Sequence, residues 1–128
     1  MVLKKLGMDF SVCKLADLLE VNLNQEFMFL SKTDEEISLV CASGLVPANA
    51  TIVEEGWKAL RIEGVLDFGM IGVIAKISNI LASADISIFV ISTYNTDYIL
   101  LKGYDYEKSI ALLEKNNYQI VCPSHNMK

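Results

Sequence analysis

The chain contains no apolar run approaching the roughly 18 residues that a membrane-spanning helix requires. Its opening stretch, MVLKKLGMDFSV, lacks a hydrophobic signal core and a small-residue cleavage site, so a cytoplasmic protein with no membrane partner is expected. Basic residues are scarce as well: 11 Lys and Arg stand against 16 Asp and Glu, a net charge of −5 with no basic block. A phosphate backbone would find little to neutralise, which argues against nucleic acid as a partner. Histidine occurs once, as His125 in the polar tail PSHNMK, and Cys13, Cys41 and Cys122 lie far apart among apolar or β-prone neighbours. That spacing supports neither a zinc site nor a Cys/His nucleophile pair, and buried free thiols are the simpler reading. With no phosphate-binding loop or metal-ligand cluster, no metal and no cofactor is expected.

What is present is 52% hydrophobic and 21% charged, the composition of a folded interior with apolar surface left for a partner. The second half reads more clearly than the first. WKALRIEG (57–64) alternates Leu60 and Ile62 against Arg61 and Glu63, as a strand does, and runs into the glycine-bearing GVLDFGMIG. Met70, Val73, Ile74, Ile77, Leu81 and Ala84 then recur at three- and four-residue steps, predicting an amphipathic helix of about four turns. ISIFVIST and DYILLKGY are β-rich runs around a short polar insert, the pattern of a hairpin. Asp105 stands as an N-cap before YEKSIALLEKNNY, whose Tyr106, Ile110 and Leu113 mark one helical side, and QIVCP is a last strand stopped by Pro123. The order β, α, β, β, α, β defines an α+β, ferredoxin-like unit, four antiparallel strands with two helices on one face.

The first half reads as a degenerate, incomplete copy. Laying FLSKTDEEISLV (29–40) over VISTYNTDYILL (90–101) sets Ser31 on Ser92, Glu36 on Asp97 and Leu39 on Leu100. Chance likeness between two amphipathic hairpins is the competing explanation. A strand, DFSVCKL, and a short helical segment, ADLLE, come before this hairpin; GLVPANATIVEEG after it is turn-rich, with no second helix before Trp57. The expected division is 1–56 for the incomplete unit and 57–128 for the complete one, packed as one body. A truncated unit exposes apolar surface, so a homodimer is expected.

A complete βαββαβ unit with a glycine-bearing loop before its first helix, a degenerate copy ahead of it and the stretch IFVISTYNTDYILL resembles the ACT domains, small regulatory modules that bind amino acids. The likeness extends to short stand-alone bacterial tandem-ACT proteins and to the ACT units of the animal cytosolic arginine sensor. It covers residues 57–122 well and 8–45 loosely. The resemblance implies a ligand held between ACT units, where the loop and first helix of one meet the hairpin of another. By the same likeness Thr93, Tyr94 and Asp97 take ligand-touching places, the acid reading a positive group, and Asp67, Phe68, Gly69 and Met70 fall on the ligand-facing loop.

The residues support such a site on physical grounds too. A helix beginning near Gly69 offers unpaired backbone amides to a carboxylate, and glycine at 69 and 72 keeps a side chain from blocking the ligand or straining the turn. Asp97 would supply the negative charge for an ammonium or guanidinium, so the two ends of one zwitterion would be matched. The competing reading is that YNTD is only a turn, polar because Asn, Thr and Asp hydrogen-bond locally. Trp57 reads as a core or interface anchor and Glu36 as part of a solvated acidic turn. The function expected is a non-catalytic, amino-acid-binding regulatory protein; the alternative is an adaptor dimer whose groove is filled by Phe68, Met70 and Tyr94. An enzyme using Asp67 and Asp97 as an acid/base pair has no supporting histidine or metal cluster.

Overall fold

The computed structural model describes residues 1–64 and 71–123. The chain divides into two compact units, Met1–Gly7 with Lys58–Lys128 in one and Met8–Trp57 in the other. The first, here the helical unit, contains β1 (Val2–Lys5), the C-terminal part of the long strand β5 (Ala50–Ile62), α1 (Val73–Ala82), β6 (Ile88–Ser92), β7 (Asp97–Lys102), α2 (Gly103–Lys115) and β8 (Gln119–Val121). The second, the all-β unit, holds β2 (Phe10–Leu15), β3 (Met28–Lys32), β4 (Ile37–Ala42) and the N-terminal part of β5.

From β5 onward the helical unit is the expected ferredoxin-like βαββαβ, with one addition. Its strands lie in the order β6, β7, β5, β1, β8, so the chain's first strand stands between the first and last strands of that unit. β1 runs antiparallel to β5, with Leu3 opposite Ile62, and parallel to β8, with Leu3 opposite Ile120. The first seven residues, expected in the incomplete unit, therefore fold with the second half. Strand alternation turns Leu3, Leu60, Ile62, Ile99 and Leu101 to one face, where Ile77 and Leu81 of α1 and Tyr106, Ile110 and Leu113 of α2 close over them. Full burial of each such aliphatic side chain contributes about 1.5–3 kcal/mol. Of the side chains predicted to form the helix faces, Ile77, Leu81, Tyr106, Ile110 and Leu113 are buried, Val73, Ile74 and Ala84 pack partly buried against them, and Met70 lies outside the described residues.

α1 starts later than its periodicity suggested, at Val73, after Gly72 at φ 77°. A Cβ on Gly72 would meet nothing within 4 Å, so glycine is needed there for its left-handed φ and not for space. Asp105 is not an N-cap: α2 begins at Gly103, and Asp105 lies inside the first turn, where its carboxylate complements the helix dipole. Both helices end in the same six-residue closure. Ile86 N donates to Leu81 O and Asp85 N to Ala82 O; Tyr118 N donates to Leu113 O and Asn117 N to Glu114 O. Asp85 (φ 61°) and Asn117 (φ 73°) supply the left-handed residue, as short polar side chains do most readily after glycine.

In the all-β unit the strand order is β3, β4, β2, β5. Cys13, Leu15, Leu39 and Cys41 form its buried cluster, with Val21, Met28, Ile37, Val46 and Ala50 packed at the margins. The segment ADLLE is not helical. Asp17 accepts the Leu19 N–H at 3.0 Å, and Asn22 likewise accepts from Asn24, so local side-chain bonds hold these residues in turns. ATIVEEG, expected as turn, is strand: the Pro47–Ala50 turn closes through Ala50 N to Pro47 O, and Thr51, Ile52 and Val53 continue as β-branched strand residues beside β2. Trp57 is buried, as are the Cys13 and Cys41 thiols. Cys122 is exposed, a correction to its expected burial, because β8 ends at Val121. No described helix is long and apolar enough to cross a membrane.

Candidate functional site

The polar insert between β6 and β7 is a tight turn. Thr93 N–H and Thr93 Oγ1 both donate to Thr96 O at 2.9 Å, and Thr96 N–H donates back to Thr93 Oγ1 at 3.4 Å. Thr93, expected to touch ligand, thus has its hydroxyl engaged in closing the turn. Thr96 was not foreseen as special, yet it is 6% exposed and its Oγ1 donates to Ile62 O at 2.7 Å. That bond pins the hairpin to the last residue of β5, beside the end of the sheet from which the chain leaves toward α1. No sequence signal marks Thr96, because any polar residue serves at that turn position.

Tyr94 stands at the tip, 80% exposed. Asp97 is the first residue of β7, opposite Ser92 and half-buried. Two residues before Ile99, it shares the sheet face that carries the helices. Among the described residues no hydrogen bond or ion pair engages its carboxylate. Arg61 falls on the other face, paired with Glu63 at 2.9 Å and set over the Tyr98 ring at 5.9 Å from its centroid. Burial works to lower the Arg61 pKa, but its bonds with Glu63 and Tyr98 outweigh it and hold the group above its ordinary value. The structure therefore brings Thr93, Tyr94 and Asp97 together on one turn. Asp67, Phe68, Gly69 and Met70 lie outside the described residues, as does His125. Among the described residues no three His, Cys, Asp or Glu side chains gather as a metal site.

The all-β unit carries the same turn. Thr33 N–H and Oγ1 donate to Glu36 O, and Glu36 N–H donates to Thr33 Oγ1 at 3.2 Å. Strand bounds 28–32 and 37–42 match 88–92 and 97–102 sixty residues on, with the same burial along β4 and β7. The register read from sequence was one residue off: Thr33 matches Thr93 and Glu36 matches Thr96, while Ile37 stands where Asp97 does. Glu36 is exposed, as a solvated turn acid would be.

A family model described as the ACT domain matches residues 52–115, half of the chain. A crystal structure of an Agobacterium tumefaciens protein is 26% identical, with 97% of this chain and 94% of that one covered and a TM-score of 0.84. Aspartate kinase from Synechocystis is 18% identical over 98% of this chain and 28% of its own, with a TM-score of 0.67. The ligand-free regulatory subunit of aspartate kinase from Thermus thermophilus is 12% identical over 84% of this chain and 92% of its own, with a TM-score of 0.57. No curated protein sequence matches the chain.

Proposed function

Because the chain belongs to the ACT domain family, we propose that it is a non-catalytic regulatory protein of the cytoplasm that binds an amino acid or similar small zwitterion. The observation that carries this reading is Asp97, an unengaged carboxylate on the helix-bearing face, held at the end of β5 by the Thr96 bond to Ile62. A carboxylate so placed reads an ammonium or guanidinium, while amides at the start of α1 suit the ligand's carboxylate. The site would lie where one ACT unit meets another in a homodimer, with Tyr94 at its rim and Asp67, Phe68, Gly69 and Met70 on the loop side. The all-β unit would be a degenerate copy that has kept the hairpin and lost its helices. The fold shared with an aspartate kinase regulatory subunit supports a regulatory role. An adaptor dimer without effector is the second reading, favoured by the exposure of Leu19, Leu23, Ile52 and Ile71.

A thermal-shift screen of the full chain against the common amino acids tests the proposal. A ligand of the native state at 100 times its Kd adds about 2.7 kcal/mol, a readable rise in Tm. One amino acid that raises Tm, with the rise lost in Asp97→Asn, is the expected result. No response to any of them, in a protein that is a tight dimer, gives the adaptor reading the lead.

A further inference from the structure

Within the helical unit lies a cavity of about 490 Å³ whose described lining includes none of Thr93, Tyr94 and Asp97. It opens between the first turns of α1 and the turn that joins α2 to β8. Met1, Ile71, Val73 and Tyr118 line it with apolar surface, and Lys76, Asn116 and Asn117 bring polar side chains. Its volume is in the range of small-molecule sites, which are mostly apolar with a few convergent polar groups.

The polar groups are of unequal use. Asn116 Nδ2 is committed to Leu112 O at 2.9 Å. Among the described residues, nothing pairs with the Lys76 ammonium, the Asn117 amide or the Tyr118 hydroxyl. Lys76 is the only charged side chain of the described lining, which Met1 joins with its thioether and its α-amino group, and no acid stands in the described walls. A phosphate ester is best matched by a bidentate arginine or a cluster of cationic side chains, neither of which the described lining provides. Amino groups beside an apolar wall fit a small carboxylate with an apolar body.

We infer that this cavity is a second ligand site, internal to one helical unit and separate from Asp97, for a small carboxylate bearing an aliphatic or aromatic group. Lys76 holds the carboxylate, the Asn117 amide and Tyr118 hydroxyl add hydrogen bonds, and Ile71, Val73 and the Tyr118 ring cover the apolar body. The assignment does not depend on the amino-acid reading.

Phenylacetate and its neutral counterpart phenylacetamide are suitable probes, titrated against the full chain with ligand-observed NMR. Phenylacetate is expected to bind saturably, about fivefold tighter than the amide, with the difference shrinking as salt is raised. Lys76→Gln, an exposed position, should narrow the gap between acid and amide, the Met1 amino group remaining, with an unchanged melting curve. Asn117→Gly keeps the left-handed backbone, removes the amide and should weaken both probes. Asp97→Asn should leave phenylacetate binding as it was. The inference is overturned if wild type shows no saturable binding, if acid and amide bind alike, if Lys76→Gln changes nothing, or if Asp97→Asn weakens phenylacetate as much as Lys76→Gln does.

Discussion

The hairpin of β6 and β7 and the hairpin of β3 and β4 have one backbone plan under two kinds of cover. In the helical unit Ile99 and Leu101 pack into a cluster closed by two helices; in the all-β unit Leu39 and Cys41 occupy the matching places in a cluster of four buried residues edged by half-buried ones. Both turns are polar, and a threonine closes each by the same bonds. Polarity of the insert is thus a property of the turn and does not by itself mark a site. What separates the hairpins is the last turn residue, Thr96 against Glu36, and the first residue of the following strand, Asp97 against Ile37. Those two differences tie one hairpin to β5 and put a carboxylate where the other has an apolar side chain.

The comparison can be broken most sharply in the two cores. Ile99→Ala should cost about 4 kcal/mol and Leu39→Ala about 2 kcal/mol in urea denaturation, because a cavity closed by two helices relaxes less than one edged by turns. Equal costs, or the reverse order, would mean that the helices add little to the packing of their hairpin. Thr96→Val should lose about 2 kcal/mol by leaving the buried Ile62 carbonyl without its donor, whereas Glu36→Ala should stay within about 0.5 kcal/mol. If both cost the same, the bond to Ile62 is not what distinguishes the turns. Thr93→Ala and Thr33→Ala should each cost about 0.5–1 kcal/mol, alike in size, since the same turn bonds go in each case.

The smallest effect in ordinary buffers is alkaline. Burial, with the neighbouring Cys13 adding to it, pushes the Cys41 thiol up to about 11, and burial, with Glu107 next, pushes Tyr106 up to about 12. A raised folded pKa leaves stability intact below the unfolded value and removes it as pH climbs toward the folded one. Stability should therefore fall from about pH 9 to 11 through the all-β unit and from about pH 10 to 12 through the helical unit. Burial also raises the Cys13 thiol, so thermal melts of Cys41→Ala should show a smaller lower step, and a melt that ignores this substitution between pH 9 and 11 would contradict the assignment.

Much of the helical unit was legible because its signals are local. The three- and four-residue spacing of Val73, Ile74, Ile77 and Leu81 and of Tyr106, Ile110 and Leu113 fixes which faces are buried, and the β-rich runs around each turn fix the hairpins. β1 was not legible: VLKK is four residues with two lysines, and its partners are strands near residues 60 and 120. ADLLE has helix-forming leucines, but the Asp17 carboxylate takes the Leu19 amide instead. The two hairpins were aligned one residue off because Ser31 and Ser92 invited the match, whereas the turn bonds of Thr33 and Thr93 set them sixty residues apart. That Thr93, Tyr94 and Asp97 share one turn could be read from sequence. Which of their side chains is spent on closing the turn depends on hydrogen bonds that a sequence does not display.

The measurement that bears most directly on the central claim is a calorimetric titration of the amino acid that raises Tm into three proteins: wild type, Asp97→Asn and Glu36→Gln. The account predicts saturable binding in wild type and Glu36→Gln, with binding lost or weakened at least about tenfold in Asp97→Asn, as befits a charged hydrogen bond worth about 1.5–3 kcal/mol. Equal affinity in all three would contradict it and remove Asp97 from the site.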